Sequence, residues 1–62
     1  MNEAQRNALK NICERYRVTF KEEDYTVYPA SSSMMAGWAE GWVGGMLNTI
    51  YVGVSPEGQI HS

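Results

Sequence analysis

Apolar residues recur at helical spacing early in the chain and at alternate positions near its end. A spacing of three and four places side chains on one face of a helix, whereas alternation places them on one face of a strand. In the first segment Asn2 is a suitable N-cap, and Gln5 stands three residues later, as in a capping box. The pattern therefore predicts a helix over residues 3–16. Its apolar stripe consists of Leu9, Ile12, Cys13 and Tyr16, with Ala8 beside it.

The alternation is clearest between residues 49 and 54, which predicts a half-buried strand. A Ser-Pro-Glu-Gly turn follows, because Pro presets φ at the first central position and Gly accepts a positive φ. Residues 59–62 then return as a short final strand. The first of these strands has Ile50, Val52 and Val54 on one face, and Thr49 and Tyr51 on the other.

Both tryptophans lie between residues 37 and 45, and a glycine precedes each of them. As a helix, this segment would contain Gly37, Gly41 and Gly44, each of which weakens a helix by up to about 1 kcal/mol. As a strand, it places Trp38, Glu40 and Trp42 on one face and small residues on the other. We favour the strand. The glycine opposite the tryptophans, Gly41, indicates close packing on the second face, where the N-terminal helix is the expected neighbour.

Two short extended segments are predicted in the middle of the chain, at residues 18–20 and 25–28. The second either pairs with the first as a hairpin or crosses the sheet as irregular chain. Residues 21–24 are predicted to form a charged turn, and residues 44–48 link the tryptophan strand to the next one. Together the elements predict an α+β fold in one domain, residues 1–62. An N-terminal helix packs on a small antiparallel β-meander of three to four strands.

The chain has few means of support beyond its core. Cys13 is its one cysteine, which excludes a disulfide within the chain. With His61 as the one histidine, a tetrahedral zinc site is not predicted either, and neither is any cofactor. A domain of this size therefore often depends on self-association or on a partner. The lone thiol and an N-terminus unlike a signal peptide predict a cytoplasmic location.

A membrane-spanning helix is the alternative for residues 34–54, which contain one charged residue, Glu40, and glycines at small-xxx-small spacing. Five glycines and few bulky aliphatic residues in this window argue against it. A membrane partner is not predicted.

Charge divides the chain into two parts. All five cations lie in the first 21 residues, and five of the seven carboxylates follow them. The net charge of −2 argues against a general nucleic-acid binder, which needs a clustered basic surface. A nucleic-acid-directed regulator that presents Arg6, Lys10 and Arg17 from the helix is nevertheless the alternative function.

An enzyme is not predicted, because no nucleophile stands near a base in any recognisable pattern. Cys13 falls on the apolar stripe and is expected in the core. His61 lies one residue from the end of the sequence. The glycines of residues 41–45 lack the following lysine and hydroxyl residue that phosphate binding requires. Three adjacent carboxylates at residues 22–24 cannot all converge on one cation. No catalytic, metal or cofactor residue is assigned.

Three stretches carry a resemblance to a known class of proteins. They are Ala8-Leu9-x-x-Ile12-Cys13-x-x-Tyr16, Gly41-Trp42-Val43-Gly44-Gly45, and the segment from Ile50 to Ser62. In these the chain resembles small uncharacterised accessory proteins of actinobacteriophages. The resemblance implies a phage origin, expression in the cytoplasm of a bacterial host and a role in modulating host or competing-phage machinery. It implies no active site.

The aromatic residues are the candidate partner-binding site. Trp38, Trp42 and Tyr51 share a sheet face if the two long strands pair antiparallel, and they point outward if the helix covers the opposite, aliphatic face. The alternative is that the tryptophans form the core. Because Trp and Tyr are enriched at interface hot spots, the predicted function is a protein-interaction module. Its expected partner is a host or phage protein, or a second copy.

Overall fold

A computed structural model describes residues 1–45 and 49–62 of the chain. One helix packs on a four-stranded antiparallel sheet whose strand order, β1-β2-β3-β4, follows the order of the chain. The predicted α+β fold is therefore confirmed. The elements are α1 (Glu3–Arg15), β1 (Tyr25–Val27), β2 (Ala39–Val43), β3 (Ile50–Val54) and β4 (Ile60–His61), with a 3-10 turn (Glu22–Asp24) before β1.

The start of α1 has the predicted capping box. Asn2 accepts a hydrogen bond from the Gln5 amide at 2.8 Å, and the Gln5 side chain accepts one from the Asn2 amide at 3.0 Å. The Gln5 side-chain amide also donates to the carbonyls of Gly37 and Val54, at 2.8 and 3.3 Å. One side chain thus caps the helix and ties it to the sheet and to the loop before β2.

The end of α1 is a Schellman motif. The amide of Val18 donates to the carbonyl of Cys13 at 2.9 Å, and the amide of Arg17 donates to that of Glu14 at 3.1 Å. Arg17 takes a φ of +59°, the left-handed conformation that glycine usually supplies at this position. The helix therefore ends one residue before the predicted boundary.

The core lies between α1 and one face of the sheet. Leu9, Ile12 and Cys13 of the predicted helical stripe are buried, but Tyr16 caps the helix and is 40% exposed. Gln5, which the predicted stripe did not include, is fully buried. Gln5 is buried because its side chain has hydrogen-bond partners there. The buried apolar residues are Leu9, Ile12 and Cys13 from α1, with Tyr25, Ala39, Val43, Val52 and Val54 from the sheet.

Residues 25–28 contain a strand, as predicted, but β1 pairs with β2, so neither alternative for its surroundings is correct. Tyr25 stands directly across from Gly41 in the register. Residues 18–20 form no strand, although Val18 and Phe20 pack against the core.

The neighbour expected at Gly41 is also wrong. A Cβ there would collide with the backbone carbonyl oxygen of Asp24 and would lie 2.7 Å from Cδ1 of Tyr25, so the close contact is with the chain at the start of β1 and its aromatic ring. The hydroxyl of Tyr25 in turn lies 3.5 Å from Sγ of Cys13 on the helix. Tyr25 therefore bridges β2 and α1.

The tryptophan segment is a strand, as predicted, and β2 pairs with β3 over five residues. The β3–β4 hairpin closes as expected: Gly58 donates to Ser55 at 2.8 Å with a φ of +88°. Of the predicted 44–48 link, residues 46–48 lie outside the described residues. Within residues 1–45 and 49–62, no helix is long and apolar enough to cross a membrane.

Candidate protein-interaction site

Alternation along β2 and β3 divides the sheet into two faces. Ala39, Val43 and Val52 point toward α1 and are fully buried. The residues between them point away from the helix, because successive strand side chains alternate. We call that side the outer face; it carries Tyr28, Trp38, Glu40, Trp42, Tyr51 and His61.

Trp42 and Tyr51 form one aromatic pair on this face, called here the exposed pair. They stand directly across from each other in the register. Their ring centroids are 5.2 Å apart at an interplanar angle of 69°, an edge-to-face contact. Trp42 is 45% exposed and Tyr51 44%, so neither belongs to the core.

Trp38 and His61 form a second pair at the other end of the outer face, called here the covered pair. Their ring centroids are 5.0 Å apart. The Trp38 ring lies over Gly53, where an added Cβ would stand 3.6 Å from Cε3 of the indole. Trp38 is partly buried against the sheet, and His61 is exposed. The three predicted residues thus lie on one face but do not form a single cluster. Trp42 and Tyr51 contact each other, whereas Trp38 contacts His61.

Glu40 lies between Trp38 and Trp42 along β2, and its carboxylate accepts a hydrogen bond from the Tyr28 hydroxyl. That bond raises the pKa of Tyr28. The pKa of Tyr51 is also raised, first by desolvation and then by the nearby Glu40 carboxylate. Glu40 is therefore a half-buried carboxylate among aromatic side chains.

No cation of the described chain neutralises Glu40. Within residues 1–45 and 49–62, both salt bridges are made by Glu22, to Arg6 and to the N-terminal amine. The hydrogen-bond donor to Glu40 is the Tyr28 hydroxyl. A carboxylate without a salt-bridge partner among the described residues thus lies at the centre of the outer face.

The basic surface of α1 is partly neutralised within the protein. Arg6 donates to Glu22 at 2.9 Å, which raises the pKa of Arg6 and lowers that of Glu22. The Lys10 ammonium lies 6.0 Å from the centroid of the Phe20 ring. Two of the three cations proposed for nucleic-acid contact are therefore already near partners of their own.

The residues considered above for nucleophilic or metal chemistry form no such site among the described residues. Cys13 is fully buried beside Tyr25, whose pKa is raised by burial. No group of three or more metal-ligating side chains converges among the described residues.

Three members of the outer face were missed as site residues: Tyr28, Glu40 and His61. The alternation of Glu40 with the tryptophans already indicated its side of the strand. The positions of Tyr28 and His61 depend on how β1 and β4 pair, which local patterns do not determine.

Comparisons with protein-family models, with curated proteins and with solved structures find no match to this chain. The geometry of the outer face is therefore the basis for a functional proposal.

Proposed function

We propose that this protein is a small protein-interaction module that binds a bacterial host protein through its outer face and modulates it. The observation that carries the proposal is the exposed pair, two large aromatic side chains held edge to face and nearly half exposed on the side opposite α1. Trp and Tyr at such positions are the residues most often found at interface hot spots.

The placement of the exposed pair supports recognition over a role in stability. The core is complete on the other face, where α1 covers the aliphatic side chains. An exposed Trp–Tyr pair adds apolar surface that water hydrates poorly, so its burial by a partner stabilises the complex.

The size of the molecule requires a partner to use one whole face. A standard interface buries about 800 Å² on each side. That area is roughly a fifth of the 4153 Å² accessible surface of this chain. The resemblance to phage accessory proteins supports a host protein as the partner; a second copy is the competing occupant.

Capture from a bacterial host lysate tests the proposal when it is combined with matched variants. Trp42→Thr removes half of the exposed pair and keeps a strand-forming residue. Val27→Thr is the control, since it removes a 42% exposed apolar side chain from β1. We expect Trp42→Thr to lose a captured protein that both the wild type and Val27→Thr retain.

Folding and self-association are measured on the same variants. Circular dichroism and thermal melting of Trp42→Thr should stay close to wild type. If that variant retains every captured protein, or if Val27→Thr loses the same ones, the outer face is not the binding site. A wild-type dimer by light scattering that Trp42→Thr converts to a monomer would replace the host protein with a second copy.

A further inference from the structure

We infer that the partner presents an arginine side chain to the outer face, with its guanidinium against the Glu40 carboxylate. This inference rests on the proposed function and specifies its chemistry. The arginine is held between the exposed pair on one side and the covered pair on the other.

Glu40 is the first reason. Its carboxylate is half-buried, accepts a hydrogen bond from the Tyr28 hydroxyl and forms no salt bridge within residues 1–45 and 49–62. From residue 22 onward the sequence contains no lysine or arginine, so the part of the chain that forms the sheet has no permanently charged cation to supply. The cations belong to the first 21 residues, and α1 packs on the opposite face.

The cost of covering Glu40 excludes an apolar partner. A protein surface that covered the exposed pair would also remove water from the carboxylate between the two pairs. Burying an unpaired charge is strongly unfavourable. A complementary cation offsets that cost, so charge complementarity determines the partner's chemistry at this point.

The surrounding rings favour arginine over lysine. A cation near the face of a Trp or Tyr ring is attracted by the ring quadrupole, and arginine is the more frequent partner. The planar guanidinium stacks on aromatic rings and also forms paired hydrogen bonds with a carboxylate. An ammonium offers a point charge without the planar surface. Arginine therefore matches both features of the outer face.

The test is a nuclear magnetic resonance titration of the ¹⁵N-labelled full chain with acetyl-Gly-Arg-Gly-amide. The matched probe is the same peptide with citrulline, which keeps the size and planarity of arginine and removes its charge. Glu40→Gln removes the carboxylate charge at nearly constant shape. Glu57→Gln is the control variant, because it changes the net charge equally at an exposed turn residue.

We expect saturable shifts of the Trp38 and Trp42 indole signals with the arginine peptide, at a Kd of about 1–10 mM. Citrulline in the peptide or Glu40→Gln in the protein should weaken binding by about tenfold. Glu57→Gln should bind as wild type does. Trp42→Leu, which keeps an apolar side chain without the π face, should also weaken binding.

Equal shifts with the citrulline peptide, unchanged binding by Glu40→Gln, or shifts confined to α1 would each overturn the inference. A wild-type dimer that covers the outer face at the titration concentration would overturn it too. If the arginine preference fails while Trp42→Thr still loses a captured protein, the inference falls and the proposed function stands. Loss of both results would remove the function itself.

Discussion

Two strand glycines differ in what lies above them, and the difference is testable. A Cβ at Gly41 would lie 2.7 Å from Cδ1 of Tyr25 and also too close to a backbone carbonyl. A Cβ at Gly53 would make an ordinary contact, 3.6 Å from the Trp38 ring. We expect Gly41→Ala to lower the free energy of unfolding by about 2 kcal/mol or more. Gly53→Ala should leave it unchanged or raise it by up to about 1 kcal/mol.

Urea denaturation of the two variants measures the contrast. Because both changes add the same methyl group to a strand, each serves as the control for the other. Equal losses of stability would mean that the backbone at the start of β1 and the Tyr25 ring do not lie over Gly41 in solution.

Single residues also explain where sequence patterns stop being informative. The strand character of the tryptophan segment follows from its glycines, but the neighbour of Gly41 does not. Gln5 was predicted only as a cap, since its partners Gly37 and Val54 are 32 and 49 residues away in the chain. A local pattern of polar and apolar positions contains no information on such contacts, and it therefore assigns a buried glutamine to the surface.

At the scale of elements, the end of α1 contains a strain that substitution can relieve. Arg17 adopts a φ of +59° in the Schellman motif, where a Cβ is unfavourable. We expect Arg17→Gly to be more stable than Arg17→Ala by about 1 kcal/mol. Both variants lose the same cation near the negative end of the helix, so their difference isolates the backbone.

Thermal or urea unfolding of the two Arg17 variants gives that difference directly. If they have the same stability, the left-handed conformation costs nothing here, and the helix ends in a different way in solution.

Elements with a clear period were predictable, and β1 was not. Periodicity locates α1, β2 and β3 to within a residue or two, and the turn residues locate β4. For the three residues of β1, however, there are two possible pairing partners, residues 18–20 and β2. Residues 18–20 lose that competition because Val18 completes the helix end and Phe20 stacks on Tyr25, with ring centroids 5.9 Å apart. A side-chain contact thus replaces the strand pairing that the sequence pattern suggested.

At the scale of the whole molecule, the tyrosines make stability depend on alkaline pH. Burial raises the pKa of Tyr25 above the ordinary value of 10.0, and Glu40 contributes to the raised pKa values of Tyr28 and Tyr51. A phenol with a raised pKa keeps its proton in the folded state and releases it on unfolding. The unfolded state then binds fewer protons, so stability is fully present below pH 10 and falls above it.

We expect the free energy of unfolding to fall less steeply above pH 10 in Tyr25→Phe than in the wild type. Tyr16→Phe, which removes an exposed hydroxyl at the end of α1, is the matched control. Urea midpoints measured between pH 8 and about pH 11 report the slopes. Superimposable profiles for the two variants would show that position 25 contributes nothing to the alkaline loss.

The candidate site depends on a fact about the whole molecule that the sequence left open. Either the tryptophans or the aliphatic residues of β3 had to meet α1. The aliphatic residues do, since Val52 and Val54 are fully buried and Trp42 is not. The alternation along β2 and β3 predicts which side chains share a face of the sheet. Which of the two faces points outward is determined only by where α1 packs.

The strand order has a consequence for how the chain folds. Each strand pairs with the next one along the chain, so the sheet assembles through short loop closures of low entropic cost. The contacts that place α1 are different: Asn2 binds the carbonyl of Pro56, 54 residues away. The Asn2 contact becomes available only after the turn between β3 and β4 exists, whereas Gln5 can bind Gly37 without it. We therefore expect the complete docking of α1 to follow the formation of the β3–β4 hairpin.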